Sequence, residues 1–145
     1  MSSGLAAIAE TDAEIERCYD VMAELRPHVG RSEFLGLVRR MESEGYRLAY
    51  REHEGDVVAV AGYRVVANLH LGRHLYVEDL VTSSQARSQG HGAALLEWLR
   101  ARAREAGCRY LDLDSGTQRD QAHKFYFRHG LTIVSYHFSQ ALQDD

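Results

Sequence analysis

The sequence predicts a mixed α/β domain. Three features of its 145 residues point there. The stretch 46–82 is built of strand-like runs broken by turn residues. Segments of helical periodicity flank it on both sides. A strand, a helix and a further strand then follow, an order that pairs the two strands in parallel through a right-handed crossover.

Each element has its own signal. LAAIA (5–9) reads as a short first strand. TDAE (11–14) has the pattern of a capping box, with Thr11 as N-cap and Glu14 three residues on. Ile15, Cys18, Tyr19, Met22 and Leu25 continue at helical spacing, and Pro27 lies near the helix end. Ser32 is expected to cap a second helix through Phe34, Leu35, Val38 and Met41, stopped by Gly45. YRLAYREH (46–53) and VVAVAGYRVV (57–66) form a hairpin around EGD (54–56). NLHLGR (68–73) is a loop or a second hairpin turn before the strand HLYVEDLVT (74–82). Ala93, Ala94, Leu95, Leu96, Trp98 and Leu99 define a helix that ends at Gly107. CRYLDLD (108–114) reads as a strand, QRDQAHKFYFRHG (118–130) as a helix and LTIVSYHF (131–138) as a last strand. With no repeat, linker or shift of composition, a single domain over 1–145 is expected.

Composition narrows the function. Seventeen basic and 21 acidic side chains leave a net charge of -4, which disfavours a nucleic-acid partner. The alternate arginines 100, 102 and 104 fit a solvated helix face. The strongly apolar run VVAVAGY (57–63) is too short to span a bilayer, so no membrane association is expected. The N-terminus lacks the regions of a signal peptide, and Cys18 and Cys108 read as buried free thiols. A cytoplasmic location is expected. Gly72 between His70 and His74 argues against a two-ligand helix, and no metal is expected.

ARSQGHGAALLEWL (86–99) places Gly90 and Gly92 where a helix begins. Helix N-termini expose unpaired N–H groups and favour anions, so they bind phosphate. Glycine lets a phosphate approach that backbone, and Arg87 adds a positive charge. A P-loop is excluded, since no Gly-x-x-x-x-Gly-Lys-Ser/Thr run exists. A dinucleotide fingerprint fails because Leu95 holds its third glycine position. A flexible loop with a glycine-rich helix entry is the competing reading.

EDLVTSSQARSQGHGAALLEWL (78–99) resembles the acyl-coenzyme A signature of the GNAT superfamily of N-acetyltransferases, with Arg87, Gly90 and Gly92 at its fixed positions. AHKFYFRHGL (122–131) is similar to a second segment of that superfamily, Leu131 standing where phenylalanine is usual. Ser84, Ser88 and Arg119 are further departures. RDQAHKFYFRHG with SYHFSQAL (135–142) is similar to the aminoalkylphosphonate N-acetyltransferase branch.

The resemblance implies a central mixed, mostly antiparallel sheet of six to seven strands flanked by about four helices. It implies an acetyl-CoA-dependent enzyme acting on a primary amine of a small molecule, and a homodimer. The cofactor arm would run along Leu80, Val81 and Thr82, and its diphosphate against Arg87, Ser88, Gln89, Gly90, His91, Gly92 and Ala93. Tyr126 matches the tyrosine that protonates the departing thiolate. Glu78 and Asp79 should point to opposite faces of a regular strand, so at most one faces the acceptor. Glu78, sharing its face with Leu80, is favoured as the base, acting through a water. Tyr19, Glu24, Tyr46, Tyr63, Tyr76, Arg64 and Arg73 are available to line the acceptor site. A non-catalytic acyl-CoA sensor and a protein acetyltransferase are the alternatives.

Overall fold

A computed structural model describes residues 4–143, which divide after Leu113 into two compact units. The larger unit holds one five-stranded sheet: β1 (Gly4–Ile8), β2 (Arg47–His53), β3 (Asp56–Asn68), β4 (Gly72–Thr82) and β5 (Tyr110–Leu113), adjacent in that order. The first four pair antiparallel, and β4 pairs parallel with β5. The crossover between β4 and β5 is helix α4 (His91–Glu105), as the strand–helix–strand order requires. The mixed α/β class is as expected. The described residues form five strands rather than six to seven, and five helices rather than about four.

The extra helix arises at Cys18. The expected helix over 11–25 is α1 (Asp12–Arg17) followed by α2 (Tyr19–Leu25). At Cys18 the N–H bonds the Ile15 carbonyl at 3.0 Å, a tightened turn, and the thiol donates to the Glu14 carbonyl at 3.4 Å. The capping box forms: Thr11 Oγ1 accepts from Glu14 N–H at 3.1 Å, and Glu14 Oε1 accepts from Thr11 N–H at 3.0 Å. The N–H groups of Thr11 and Glu10, both donating to Oε1, hold the Glu14 carboxyl below its ordinary pKa. Helix α3 (Arg31–Glu42) starts earlier than expected, with Gly30 rather than Ser32 as N-cap. There the Glu33 carboxylate accepts from Gly30 N–H at 3.2 Å.

The sheet buries both faces. Tyr46, Leu48, Tyr50, Val60 and Val81 pack against Ile15, Cys18, Val21, Met22, Phe34 and Val38 of the first three helices. Strand alternation turns Ala49, Ala59, Ala61 and Tyr63 to the other face. There α4 lies across β3 and β4, with Tyr63 edge-on to Trp98 at 6.3 Å. Leu95, Leu96 and Leu99 are fully buried, each contributing roughly 1.5–3 kcal/mol. The β2–β3 hairpin closes through Glu54 and Gly55, both left-handed at φ 52° and 84°, the turn that matches strand twist.

The smaller unit carries α5 (Asp120–Arg128). His123 donates from Nε2 to the Gly116 carbonyl at 2.8 Å. The expected strand over 131–138 does not form, since residues 131–140 join no ladder among the described residues. The alternation of LTIVSYHF supplies the pattern of a strand but not a partner for it. Val134, Tyr136 and Phe138 are 84–91% exposed.

Candidate active site

The ladder between β3 and β4 loses register at one point. Gly62 opposes Asp79, and the next pair is Tyr63 with Val77, so Glu78 is an extra residue on β4. This is a β-bulge, which redirects side chains locally. It overturns the expectation that Glu78 and Asp79 point to opposite faces. Val77 and Leu80 oppose Tyr63 and Ala61 on the α4 side, and both carboxylates leave the sheet on the side of the first three helices. Glu78 therefore does not share the Leu80 face.

Each carboxylate has partners. Glu78 is ion-paired through Oε2 with Arg64 Nε, and the Arg64 guanidinium lies 5.6 Å from the Tyr46 ring centroid. Asp79 accepts from Arg26 Nε at 2.9 Å and from the Tyr46 hydroxyl at 2.8 Å. Arg26 Nη2 also donates to the Glu78 carbonyl at 2.8 Å. A Cβ at Gly62 would collide with the Tyr46 hydroxyl and the Asp79 carboxylate. Burial, reinforced by Asp79, pushes the Tyr46 phenol well above its usual pKa, so it stays a donor.

Beyond the bulge, β4 opens an edge. Its pairing with β5 ends at Val77 and Leu113, while the strand continues to Thr82. Ser83 N–H bonds the Val58 carbonyl of β3 at 2.8 Å. Alternation then aims Val81 at β3, and turns the main-chain N–H and C=O groups of Leu80 and Thr82 to the edge that β5 leaves.

That edge leads into the glycine loop. Arg87, Ser88, Gln89 and Gly90 are all exposed. Ser88 and Gly90 are left-handed, at φ 67° and 85°, where an L-residue costs about 1–2 kcal/mol. A Cβ on Gly90 would meet only open space, so its conformation is what asks for glycine. Gly90 is the N-cap of α4, with no side-chain cap bond and no acidic residue in the first turn. The N–H groups of His91, Gly92 and Ala93 are thus a fit for a diphosphate. Glu24 ties the loop to α2, accepting from Ser84 N–H at 3.0 Å, and lies 3.7 Å from Arg87.

His91 contributes backbone rather than imidazole to the loop. Its side chain is buried, and its Nδ1 accepts from Arg51 Nε at 3.0 Å. Burial first, then Arg51 and His53, lower its pKa and keep the ring neutral.

The other expected residues lie on other elements. Tyr126 is buried on α5, its ring 5.7 Å from Phe125. Tyr63 faces α4, on the side of the sheet away from Asp79, and Arg73 donates to the Ala106 carbonyl at 2.5 Å. Tyr19 donates to the Val29 carbonyl at 2.6 Å. Cys108 is only half-buried, contrary to expectation. Arg26 had no signal of its own in the sequence. Gly62, inside an apolar strand, was the available clue, because strand glycines mark bulges and close approaches.

The sequence pattern of the Acetyltransferase (GNAT) family matches residues 10–131. The chain belongs to the GNAT acetyltransferase family. It is an acetyl-CoA-dependent N-acetyltransferase, as the match and its relatives show. It is 36% identical to the uncharacterized N-acetyltransferase YhdJ of Bacillus subtilis (strain 168), over 83% of this chain and 86% of the relative. It is 34% identical to an aminoalkylphosphonate N-acetyltransferase of Salmonella typhimurium, over 67% of this chain and 62% of that protein. Its fold matches AAC(6')-Iy bound to the bisubstrate analogue CoA-S-monomethyl-acetylneamine, with a TM-score of 0.84 and 12% identity, over 99% of this chain and 100% of that one. No helix among the described residues is long and apolar enough to cross a membrane.

Proposed function

We propose that this GNAT enzyme transfers the acetyl group of acetyl-CoA directly to the primary amine of a small molecule, in a ternary complex, within a single domain spanning 1–145. The observation that carries the proposal is the continuous edge from the Glu78 bulge, along β4, into the uncapped start of α4. The small-molecule acceptor is supported by the aminoalkylphosphonate relative.

Acetyl-CoA supplies an activated thioester. The amides of residues 87–93, with Arg87, hold its diphosphate. The main chain at Leu80, Val81 and Thr82 pairs with its arm, the N–H of Leu80 facing the oxygen on which charge develops. Glu78 takes the proton of the amine through a water, oriented by Arg64. Tyr126 gives a proton to the departing sulfur. Neither cysteine is suited to be a nucleophile: burial pushes Cys18 to about 12 and raises Cys108.

Two free thiols fit a reducing compartment such as the cytoplasm. The exposed apolar residues at 133–142 fit a homodimer. Sedimentation should then return twice the chain mass, and a monomer at all concentrations would contradict it.

Thiol release tests the function. Acetyl-CoA is offered with aminoalkylphosphonates, aminoglycosides, polyamines and peptides. Release with a small amine is expected. Release with peptides alone, or with nothing, overturns the proposal.

A further inference from the structure

We infer that Arg26 is a positioning residue: it sets the β4 bulge that aims Glu78 and the Leu80 N–H, and so governs turnover rather than acetyl-CoA binding. The inference rests on the mechanism proposed above.

Arg26 is the C-cap of α2, where the backbone has left helical dihedrals, at φ -122° and ψ 66°. Its guanidinium reaches β4 and bonds two successive residues, the Glu78 carbonyl and the Asp79 carboxylate, at 2.8 and 2.9 Å. Both lie at the point where the ladder skips a residue. A bulge removes its extra residue from regular pairing, and here Arg26 bonds that residue's carbonyl. The planar fork suits the task, whereas an ammonium group lacks that geometry.

The second half of the clamp comes from across the sheet. Tyr46 is 3% exposed and donates its hydroxyl to the other Asp79 oxygen at 2.8 Å. Gly62 opposes Asp79 and leaves the space these two groups fill. Both Asp79 oxygens are therefore engaged within the protein. Its role is to anchor β4, and Glu78 is left to meet the amine.

Two residues beyond the bulge, Leu80 turns its N–H to the open edge. A displaced bulge would move the Glu78 carboxylate and this N–H together. Misplacement by about 1 Å can cost on the order of a hundredfold in rate. The glycine loop is tied to α2 by Glu24 to Ser84, a bond that Arg26→Lys leaves in place.

The test compares wild type, Arg26→Lys, Arg26→Ala and Tyr46→Phe, using a small amine accepted by the wild type. In Arg26→Lys, kcat should fall on the order of a hundredfold while acetyl-CoA affinity, measured by calorimetry, changes far less. Hydrogen exchange should quicken at 78–80 in the same variant, and added guanidinium should restore part of the Arg26→Ala rate. Tyr46→Phe should show the same split in milder form. Wild-type turnover in Arg26→Lys overturns the inference, as does a parallel loss of acetyl-CoA affinity. A wild type that acetylates no amine removes the transferase mechanism and this inference with it, an outcome distinct from an active Arg26→Lys.

Discussion

Tyr126→Phe should lower kcat about a hundredfold and leave acetyl-CoA affinity unchanged. The ring stays, so the packing of α5 is preserved and only the hydroxyl is lost. Tyr126 is 9% exposed, so its ring is part of the packing that phenylalanine retains. The departing thiolate has a pKa of roughly 8.5 by analogy with cysteine, so it gains from a proton at neutral pH. Steady-state kinetics and calorimetry on the same preparation check both halves. A wild-type kcat would remove Tyr126 from the chemistry.

Glu78→Gln should have an effect of similar or larger size. Loss of a general base costs about 10²- to 10⁴-fold. The pH profile separates this from mere damage. In the wild type Glu78 accepts the proton of the bound amine, so the enzyme can use the ammonium form that dominates near neutral pH. Glutamine cannot accept that proton, so the variant should depend on amine that has already lost it. The acceptor amine, with a pKa near 10 by analogy with lysine, loses its own proton as pH rises, so the variant should regain rate in alkali. A pH profile unmoved from that of the wild type would assign the base elsewhere.

Much of the fold was legible because its signals are local. Thr11 and Glu14 satisfy each other's backbone within one turn, and the EGD turn adopts the left-handed pair that a tight hairpin needs. The glycine stretch was legible for the same reason: Gly90 is left-handed and caps a helix that no side chain caps. What failed depended on partners distant in sequence. Period-two alternation placed Glu78 and Asp79 on opposite faces, and the bulge against Gly62 and Tyr63 undid it. Arg26 carries no local signal beyond its place before Pro27. Its importance comes from Glu78 and Asp79 on β4. LTIVSYHF had a strand's pattern, but a strand also needs a neighbour.

The proposed function depends on main-chain amides at the start of α4 holding the diphosphate of acetyl-CoA. Calorimetric titration with acetyl-CoA and with acetyl-pantetheine, which lacks the diphosphate, tests it most directly. One acetyl-CoA site per chain is expected, with acetyl-pantetheine bound more weakly by about tenfold or more, since each hydrogen bond to a charged group contributes roughly 1.5–3 kcal/mol. Equal affinity for the two ligands, or no uptake of acetyl-CoA by folded protein, would contradict it.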